Sequence, residues 1–361
     1  MVIALITVLV LFIAALAQGL AEANKEYLEK LNAELIVFQE NVDLSTAASR
    51  IPRNKFDDIR RIPGVKEIGP IGFATATIVS NDDTALLDVS LIGVQPGKPG
   101  MPPALEGTTL RAPRGYQTII DGNVAKQAGL RIGDRLRVKT IIGGDEKFYT
   151  LEVVGITDGR QFFYAPSIFI PFNTWDEIKP QPNLSGQPIE PIANVVAVQV
   201  DSSESPQVVA ARIEKRVPKV EVVDRKTAYE ASPGYQAQQG TLNTQRGFTL
   251  LIGILVIGGF FQIQTLQKVP QIGVLKAIGT SNHSIAVAVI MQIILVTIIG
   301  VAIGSLGTFL LTLFLPDGIP ILFSGTTAII AISTLLLIGP LGGLVSVRLA
   351  LKVEPLAALG M

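Results

Sequence analysis

The chain has 361 residues with no net formal charge at pH 7, and 48% of its residues are hydrophobic while only 17% are charged. Soluble proteins average about 25% charged residues, so charge is depleted here. The absence of cysteine excludes disulfides, thiolate nucleophiles and cysteine-ligated metals, and zero net charge gives no indication of a nucleic-acid partner. Of the 30 Lys and Arg residues, 26 lie between Lys25 and Arg246. We therefore expect the middle of the chain to lie in water and the flanking segments in lipid.

Four segments are apolar and long enough to cross a bilayer, which requires about 20 residues. The first could instead be a signal peptide, but it lacks the basic region that precedes a signal sequence. The third is longer than the bilayer is thick, so it should tilt, kink or protrude. The predicted transmembrane helices are residues 1–20, 247–267, 285–314 and 326–347.

The charges of the short loops predict the orientation. Lys268 and Lys276 follow the second span, and Arg348 and Lys352 follow the fourth, whereas the loop after the third span has neither Lys nor Arg. By the positive-inside rule, both termini are cytoplasmic and the protein is a multi-pass protein of the inner (plasma) membrane. The remaining parts are an extracytoplasmic stalk and domain (residues 21–246), a cytoplasmic segment (268–284) and a cytoplasmic tail (348–361).

The extracytoplasmic part has a mixed pattern. Helix-forming residues continue from the first span, and a more polar stretch that is interrupted by Gly and Pro leads into the second, so we expect two stalks. Between them, alternating segments such as Phe148–Thr157 predict strands, while Ser205–Val217 has the spacing of an amphipathic helix. Residues 194–224 have the pattern of a strand, a helix and a second strand. We therefore predict an α+β domain with two lobes, the second of which includes residues 194–224.

Catalytic and cofactor patterns are missing from the sequence. There is no phosphate-binding loop for ATP, and the single histidine, His283, lies beside the third span rather than in the large domain. One histidine also excludes the usual zinc sites. The adjacent pairs Asp57–Asp58 and Asp82–Asp83 point in different directions along regular structure, so they are interpreted as solvated surface. We predict a protein that is not an enzyme and has no cofactor.

The cytoplasmic segment is the most informative short stretch. Its residues after Pro270 have helical spacing, which places Ile272, Leu275 and Ile278 on one face, and Gly279 is positioned to end the helix. A short amphipathic helix between two spans suits docking into a groove on a cytoplasmic partner. The alternative is an interfacial turn that only lies on lipid.

Polar and small residues within the spans allow two interpretations each. Gln262 and Gln264 could hydrogen-bond across helices, or lie near the cytoplasmic interface. Gly300 and Gly304 form the G-x-x-x-G spacing that lets two helices approach closely, although glycine is also common in membrane helices. We predict helix packing at this pair.

Several motifs occur in the order found in one family. Residues Gln271–Gly279 read QIGVLKAIG, Ala125–Asp134 read AKQAGLRIGD, and Glu152–Ile156 read EVVGI. With one span before a large domain and three after it, the sequence resembles the MacB/FtsX-type permease family of ABC transporters. It departs from the family pattern in having Gln271 where Glu is usual and Pro270 where a basic residue is frequent.

The resemblance implies a domain like the MacB periplasmic core and a permease that forms a homodimer in the lipid bilayer. It implies a separate cytoplasmic ABC ATPase, whose hydrolysis of ATP would move the extracytoplasmic domain, and a further extracytoplasmic adaptor. The substrate would be a lipid, peptide or drug-like molecule that is exported or extracted. The alternative is an FtsX-like regulator that activates an extracytoplasmic cell-wall hydrolase. The resemblance assigns ATPase coupling to Gln271, Ile272, Gly273, Leu275, Lys276, Ala277 and Gly279.

Overall fold

The computed structural model describes residues 1–80, 84–162, 164–181, 192–231, 235–314, 321–322 and 325–352. Residue contacts divide the chain into a helical unit, residues 1–20 and 239–361, and an α+β unit, residues 21–238. The described helices are α1 (Val2–Glu29), α2 (Arg53–Arg60), α3 (Gly122–Gln127), α4 (Phe172–Ile178), α5 (Pro206–Arg216), α6 (Arg225–Glu230), α7 (Tyr235–Gln267), α8 (Val269–Ala277), α9 (Asn282–Thr312) and α10 (Gly325–Lys352).

The strands all belong to the α+β unit. They are β1 (Leu35–Gln39), β2 (Ile51–Pro52), β3 (Val65–Val79), β4 (Ala85–Val94), β5 (Glu106–Gly107), β6 (Gln117–Asp121), β7 (Arg135–Ile142), β8 (Asp145–Thr157), β9 (Ser167–Pro171), β10 (Ile192–Ala193), β11 (Val195–Val200) and β12 (Val220–Asp224).

Four of the described helices contain segments long and apolar enough to span a membrane. These segments are Val2–Ala23 of α1, Gln239–Gln267 of α7, Asn282–Thr312 of α9 and Ala328–Lys352 of α10. Many large apolar side chains on these helices are exposed, among them Phe309. Contiguous apolar surface of this kind is rare on proteins that live in water and suits contact with lipid. The expected class of fold, four membrane helices with a large α+β domain, is confirmed.

The interior of the helical unit is formed by side chains from all four of these helices. Ile3 of α1, Phe261 of α7, Ile293 of α9 and Leu335 of α10 belong to one buried apolar cluster. Because apolar side chains gain little from leaving lipid for one another, such helices are held by close packing, which small residues permit. Gly258 and Gly342 provide it for α7 and α10, since a Cβ on either would lie 3.0 Å from backbone oxygen of the other helix.

The α+β unit is organised around a ten-stranded sheet in the order β12-β1-β11-β3-β4-β9-β6-β8-β5, with β7 paired to β3 and β8. Most neighbours are antiparallel, but β4 and β9 are parallel, as are β6 and β8. The region of residues 194–224 supplies β11, α5 and β12, and its two strands form one end of this sheet together with β1. The two expected lobes are thus parts of one continuous sheet.

Both faces of the sheet are covered, which explains why several strands are apolar throughout. In β11, Val196 and Val198 enter one buried cluster, whereas Val195 and Ala197 enter the cluster on the opposite face. Side chains alternate between faces along a strand, so a strand that is buried on both sides needs a continuous apolar run. The sole tryptophan, Trp175 of α4, belongs to the first of these clusters.

Candidate functional site

The predicted coupling segment forms the nine-residue helix α8 between α7 and α9. Pro270 lies in its first turn, where its missing N–H leaves no hydrogen bond unmade. Gly279 follows the helix with φ of +93°. The N–H of Thr280 donates to the carbonyl oxygen of Leu275 at 3.0 Å, which satisfies part of the last turn. Glycine is favoured at this position because a left-handed backbone costs it nothing.

The three residues predicted to form one docking face differ in their exposure in the structure. Ile272 is buried with Ile285 of α9 and Ala350 of α10, so it attaches α8 to the neighbouring helices. Leu275 and Ile278 are exposed, Ile278 to 74%. Val274 is also exposed and lies four residues before Ile278, on the same side of the helix. The apolar surface available to a partner is therefore Val274, Leu275 and Ile278, and Ile272 does not belong to it.

The other predicted coupling residues also differ in their exposure and in their contacts. Gln271 and Ala277 are exposed and Gly273 is buried. The Nζ of Lys276 donates a hydrogen bond of 2.7 Å to the backbone oxygen of Leu351, in the last turn of α10. Carbonyls in the last turn of a helix have no partner within the helix and attract cations. Lys276 thus joins α8 to the end of α10.

A chain of polar side chains links the helices beside α8. Lys268 donates from Nζ to Oε1 of Gln292 at 2.8 Å, and Nε2 of Gln292 donates to Oε1 of Gln264 at 3.1 Å. Gln264 therefore bonds across α7 and α9, while Gln262 is exposed. A cavity of about 20 Å³ next to these groups is also lined by Thr265. Such a volume has room for one water molecule, and its polar lining offers partners for it.

The glycine pair of the third span lies against α1. A Cβ on Gly300 would lie 2.7 Å from Cβ of Ile3, and one on Gly304 would lie 2.5 Å from Cβ of Thr7. Real Cβ atoms are essentially never found at these distances. The backbones of α1 and α9 can approach this closely only because both positions lack a side chain.

Within the α+β unit, the end of α1 is buried in the domain core. Tyr27 is fully buried, its hydroxyl donates to the carbonyl oxygen of Gly100 at 2.8 Å, and its ring lies edge-on to Phe162. The N–H of Tyr27 donates to the carbonyl oxygen of Gln161 at 3.1 Å. The loop at residues 158–162 therefore binds this end of the helix through both backbone and side chains.

Charged groups extend the same attachment. Lys30 pairs with Glu26 at 2.8 Å and with Asp158 at 3.0 Å. Arg160, which also pairs with Asp158, donates to the carbonyl oxygen of Lys30 at 2.8 Å. Arg225 donates to two further carbonyl oxygens at the end of α1. The orphan carbonyls of this helix end are thus satisfied by arginines of the domain.

The second expected stalk corresponds to α6 and the start of α7. Residues 232–234, which contain the Ser-Pro-Gly interruption, lie outside the described residues. Tyr229 of α6 and Tyr235 of α7 contact each other edge-on, with ring centroids 5.9 Å apart.

The titratable groups that the sequence singled out show no catalytic arrangement in the described part of the chain. His283 is exposed in the first turn of α9, and Asp57 pairs with Arg60 on the surface of α2. Asp82 and Asp83 lie outside the described residues. No group of three or more potential metal ligands occurs within the described part of the chain.

Among the described residues, Asp121 is the one buried carboxylate, and no pattern in the sequence singled it out. Its oxygens accept hydrogen bonds from the N–H groups of Asn123, Val124 and Ser167, which caps α3 and ties β6 to β9. Burial raises the pKa of Asp121 to about 6 against the lowering effect of these bonds. This role is structural, since Asp121 is fully buried.

Among solved structures, the chain is similar to the periplasmic region of MacB from Actinobacillus actinomycetemcomitans, at 10% identity and a TM-score of 0.40 over 54% of this chain and 90% of that one.

Relatives extend over more of the chain. A protein of Staphylococcus haemolyticus named "Putative hemin transport system permease protein HrtB" is 27% identical and covers 100% of this chain and 94% of its own length. An ABC transporter permease of Mycobacterium tuberculosis is 24% identical over 84% of this chain and 77% of its own length.

Two family models together account for most of the chain. The MacB-like periplasmic core domain matches residues 1–216, and the FtsX-like permease C-terminal domain matches residues 247–355. The first match contains α1 to α5, and the second contains the end of α7 and all of α8, α9 and α10. The chain belongs to the MacB/FtsX-type family of ABC transporter permeases.

Proposed function

We propose that this permease binds a separate ABC ATPase through α8, converts ATP hydrolysis there into movement of its membrane helices, and transmits that movement to the α+β unit. The observation that carries the proposal is the division of α8 into two sides. One side is fixed to α9 and α10, and the other exposes apolar residues in a short helix.

The exposed side of α8 suits a hydrophobic groove on the ATPase. Val274, Leu275 and Ile278 supply the apolar contacts of a helix-in-groove interaction. Gln271 is exposed at the start of the same helix and carries no charge. The contact therefore depends on shape and apolar burial more than on ion pairs, and we expect it to depend weakly on salt.

The fixed side of α8 suits transmission. Ile272 packs on two membrane helices, Lys276 bonds to the end of α10, and Lys268 bonds through Gln292 to α9. A force on α8 would thus act on several spans at once. Helix α1 runs unbroken from Val2 to Glu29, and its last residues are held in the α+β unit by the contacts of Tyr27.

We propose that both termini are cytoplasmic, that the α+β unit is extracytoplasmic and that two copies form a homodimer. The bond between Lys276 and the Leu351 carbonyl places α8 and the last turn of α10 at one end of the spans. All four Lys and Arg that follow the second and fourth spans belong to these two segments, as the positive-inside rule requires of the cytoplasmic side. Because the chain has no cysteine, single-cysteine variants at Asp145 and Ile278 would report sidedness without background.

We propose that the substrate is an amphipathic molecule taken from the membrane or from its outer surface. The predicted spans contain no Lys, Arg, Asp or Glu, and a polar path through the membrane would ordinarily require some. A relative named for hemin transport is consistent with an amphipathic substrate. The regulator alternative, activation of a cell-wall hydrolase, uses the same transmission and needs no substrate.

Co-expression of the chain with ABC ATPases of its source organism, one at a time, tests the proposal. We expect one ATPase to co-purify with the chain and Leu275→Asp to abolish that complex. Leu86→Asp, at a leucine of the α+β unit that is also exposed, is the matched control and should leave the complex intact. If Leu275→Asp retained the ATPase, α8 would not be the docking helix. Accumulation of substrate in cells, compared with release of wall fragments, separates export from hydrolase activation.

A further inference from the structure

The helical unit contains a cavity of about 300 Å³ between three of its membrane helices. This is roughly twice the volume of the ~150 Å³ engineered cavity that takes up benzene, so it has room for a chain of roughly a dozen carbons. The lining comes from α1, α7 and α10: Val10, Ile13, Ala14, Gln18, Thr249, Leu250, Ile330, Ala331 and Thr334.

The polar groups of the lining differ in whether they have a hydrogen-bond partner. The hydroxyls of Thr249 and Thr334 each donate to a carbonyl one turn earlier in their own helix, at 2.8 and 2.7 Å. These groups are satisfied, so they leave the wall effectively apolar. The amide of Gln18 makes no hydrogen bond within the described part of the chain, and its side chain is half-buried. The cavity thus combines an apolar body with one free hydrogen-bonding group.

The position along the helices gives the cavity a direction. Gln18 lies at the end of the first span next to residue 21, where the α+β unit begins, and Val10 lies near the middle of that span. Thr249 and Ile330 likewise lie in the halves of α7 and α10 nearer to the extracytoplasmic loops. In the proposed orientation the cavity occupies the outer half of the bilayer, with Gln18 toward the interface.

The chemistry of the lining limits the ligand. Among the described residues that line the cavity there is no Lys or Arg to pair with an anionic head, and a buried unpaired charge is costly. The described lining also contains no His, Cys, Met or Tyr, the side chains that ligate haem iron.

We propose that this cavity binds an uncharged, metal-free amphiphile with one acyl-sized chain, whose polar end bonds to Gln18 and whose chain extends toward Val10. This inference rests on the proposed function, because it identifies the cavity as the place where a membrane-derived substrate is held. The proposed ligand also differs from hemin, the molecule in the name of a relative.

Binding of monododecanoylglycerol to the full-length chain in phospholipid nanodiscs tests the proposal. We expect saturable binding of one molecule per chain, weakened at least tenfold by Ala331→Phe and by Ala14→Phe, which fill the cavity. The matched control is Ala302→Phe, an alanine that is exposed on α9. Gln18→Leu should weaken the glyceride at least fivefold but leave dodecane unaffected, whereas Gln262→Leu, at an exposed glutamine, should change neither.

The inference is overturned if the glyceride does not bind, or if both cavity-filling variants bind it within twofold of the unmodified chain. It is also overturned if hemin, followed by its absorbance, binds more tightly than the glyceride and loses affinity with Ala331→Phe. Two filling variants on different helices guard against misfolding of either one. The binding measurement contains no ATPase. Its result can therefore be interpreted even if α8 is not the docking helix.

Discussion

The ammonium of Lys276 lies 2.7 Å from the backbone oxygen of Leu351, so a residue of α8 caps the end of α10. Nearby, Ile272 of α8 packs against Ala350 of α10. Two contacts, one polar and one apolar, therefore tie α8 to α10 on the side opposite to its exposed residues. This arrangement separates the residues that would bind an ATPase from those that would receive its movement.

Replacing Lys276 with Met should separate binding from coupling. Met keeps an apolar stem but cannot donate to the Leu351 oxygen, and an unpaired, partly buried carbonyl costs about 1–3 kcal/mol. We expect affinity for the ATPase to change less than threefold while substrate-dependent turnover falls at least fivefold. Both are measured on the reconstituted complex. Lys276→Arg should retain most of the turnover.

The matched control for that experiment is Lys352→Met, because Lys352 is exposed and adjacent to Leu351. It should leave affinity and turnover unchanged. An equal loss of turnover in both variants would mean that general positive charge at this end of the spans is what matters, rather than the bond to α10.

Alanine at Gly304 should loosen the contact between α1 and α9. Its Cβ would lie 2.5 Å from Cβ of Thr7, and such overpacking typically costs about 1–3 kcal/mol. We expect a lower melting temperature of the chain in nanodiscs. Gly259→Ala is the control, since nothing lies within 4 Å of a Cβ there, and alanine stabilises a helix relative to glycine by about 1 kcal/mol. Equal melting temperatures for the two variants would contradict this account.

The stability of the α+β unit should fall as pH rises from about 4 to 6. Burial raises the pKa of Asp121 to about 6 in the folded chain, whereas the unfolded value is near 4. The folded state therefore binds more protons in this window, and the stabilisation that is complete at low pH is lost as pH passes the folded pKa. The shift corresponds to at most about 3 kcal/mol. Fluorescence of Trp175, the only tryptophan, reports unfolding of this unit.

The Asp121→Asn variant isolates that contribution. Asn can still cap α3, but its amide nitrogen faces the N–H of Ser167, so the variant should be less stable at pH 4, by about 1–3 kcal/mol. The slope of stability between pH 4 and 6 should become flatter. An unchanged slope would show that other carboxylates determine it.

Loss of the arginine that caps the end of α1 should uncouple hydrolysis from transport. Arg160→Met removes the donor to the Lys30 carbonyl and the partner of Asp158, while the apolar stem remains. We expect ATP hydrolysis by the complex to persist and substrate movement per ATP to fall at least threefold. Arg60→Met removes an exposed ion pair on α2 and should change neither rate. Parallel loss of both rates in Arg160→Met would indicate a folding defect instead.

Composition and periodicity were sufficient to predict the membrane spans and several of the helices and strands of this protein. A span is a local property, because length and hydropathy within one segment decide whether it can cross lipid. The strand predicted at Phe148–Thr157 and the helix predicted at Ser205–Val217, which correspond to β8 and α5, likewise depend on their own residues, through alternation in one and 3.6-residue spacing in the other. The glycine after α8 was predictable for the same reason.

Tertiary structure alone decided which side of each element has a partner. Sequence spacing grouped Ile272 with Leu275, but the burial of Ile272 depends on Ala350, almost eighty residues away. Nothing in the sequence indicated that Lys276 bonds to a carbonyl at the end of α10, and the bond of Gln264 across two helices depends on the position of Gln292. The cavity beside Gln18 exists only because three distant segments pack around it. Local periodicity specifies a helix and its faces, whereas the partner of each face is determined by packing between residues far apart in the chain.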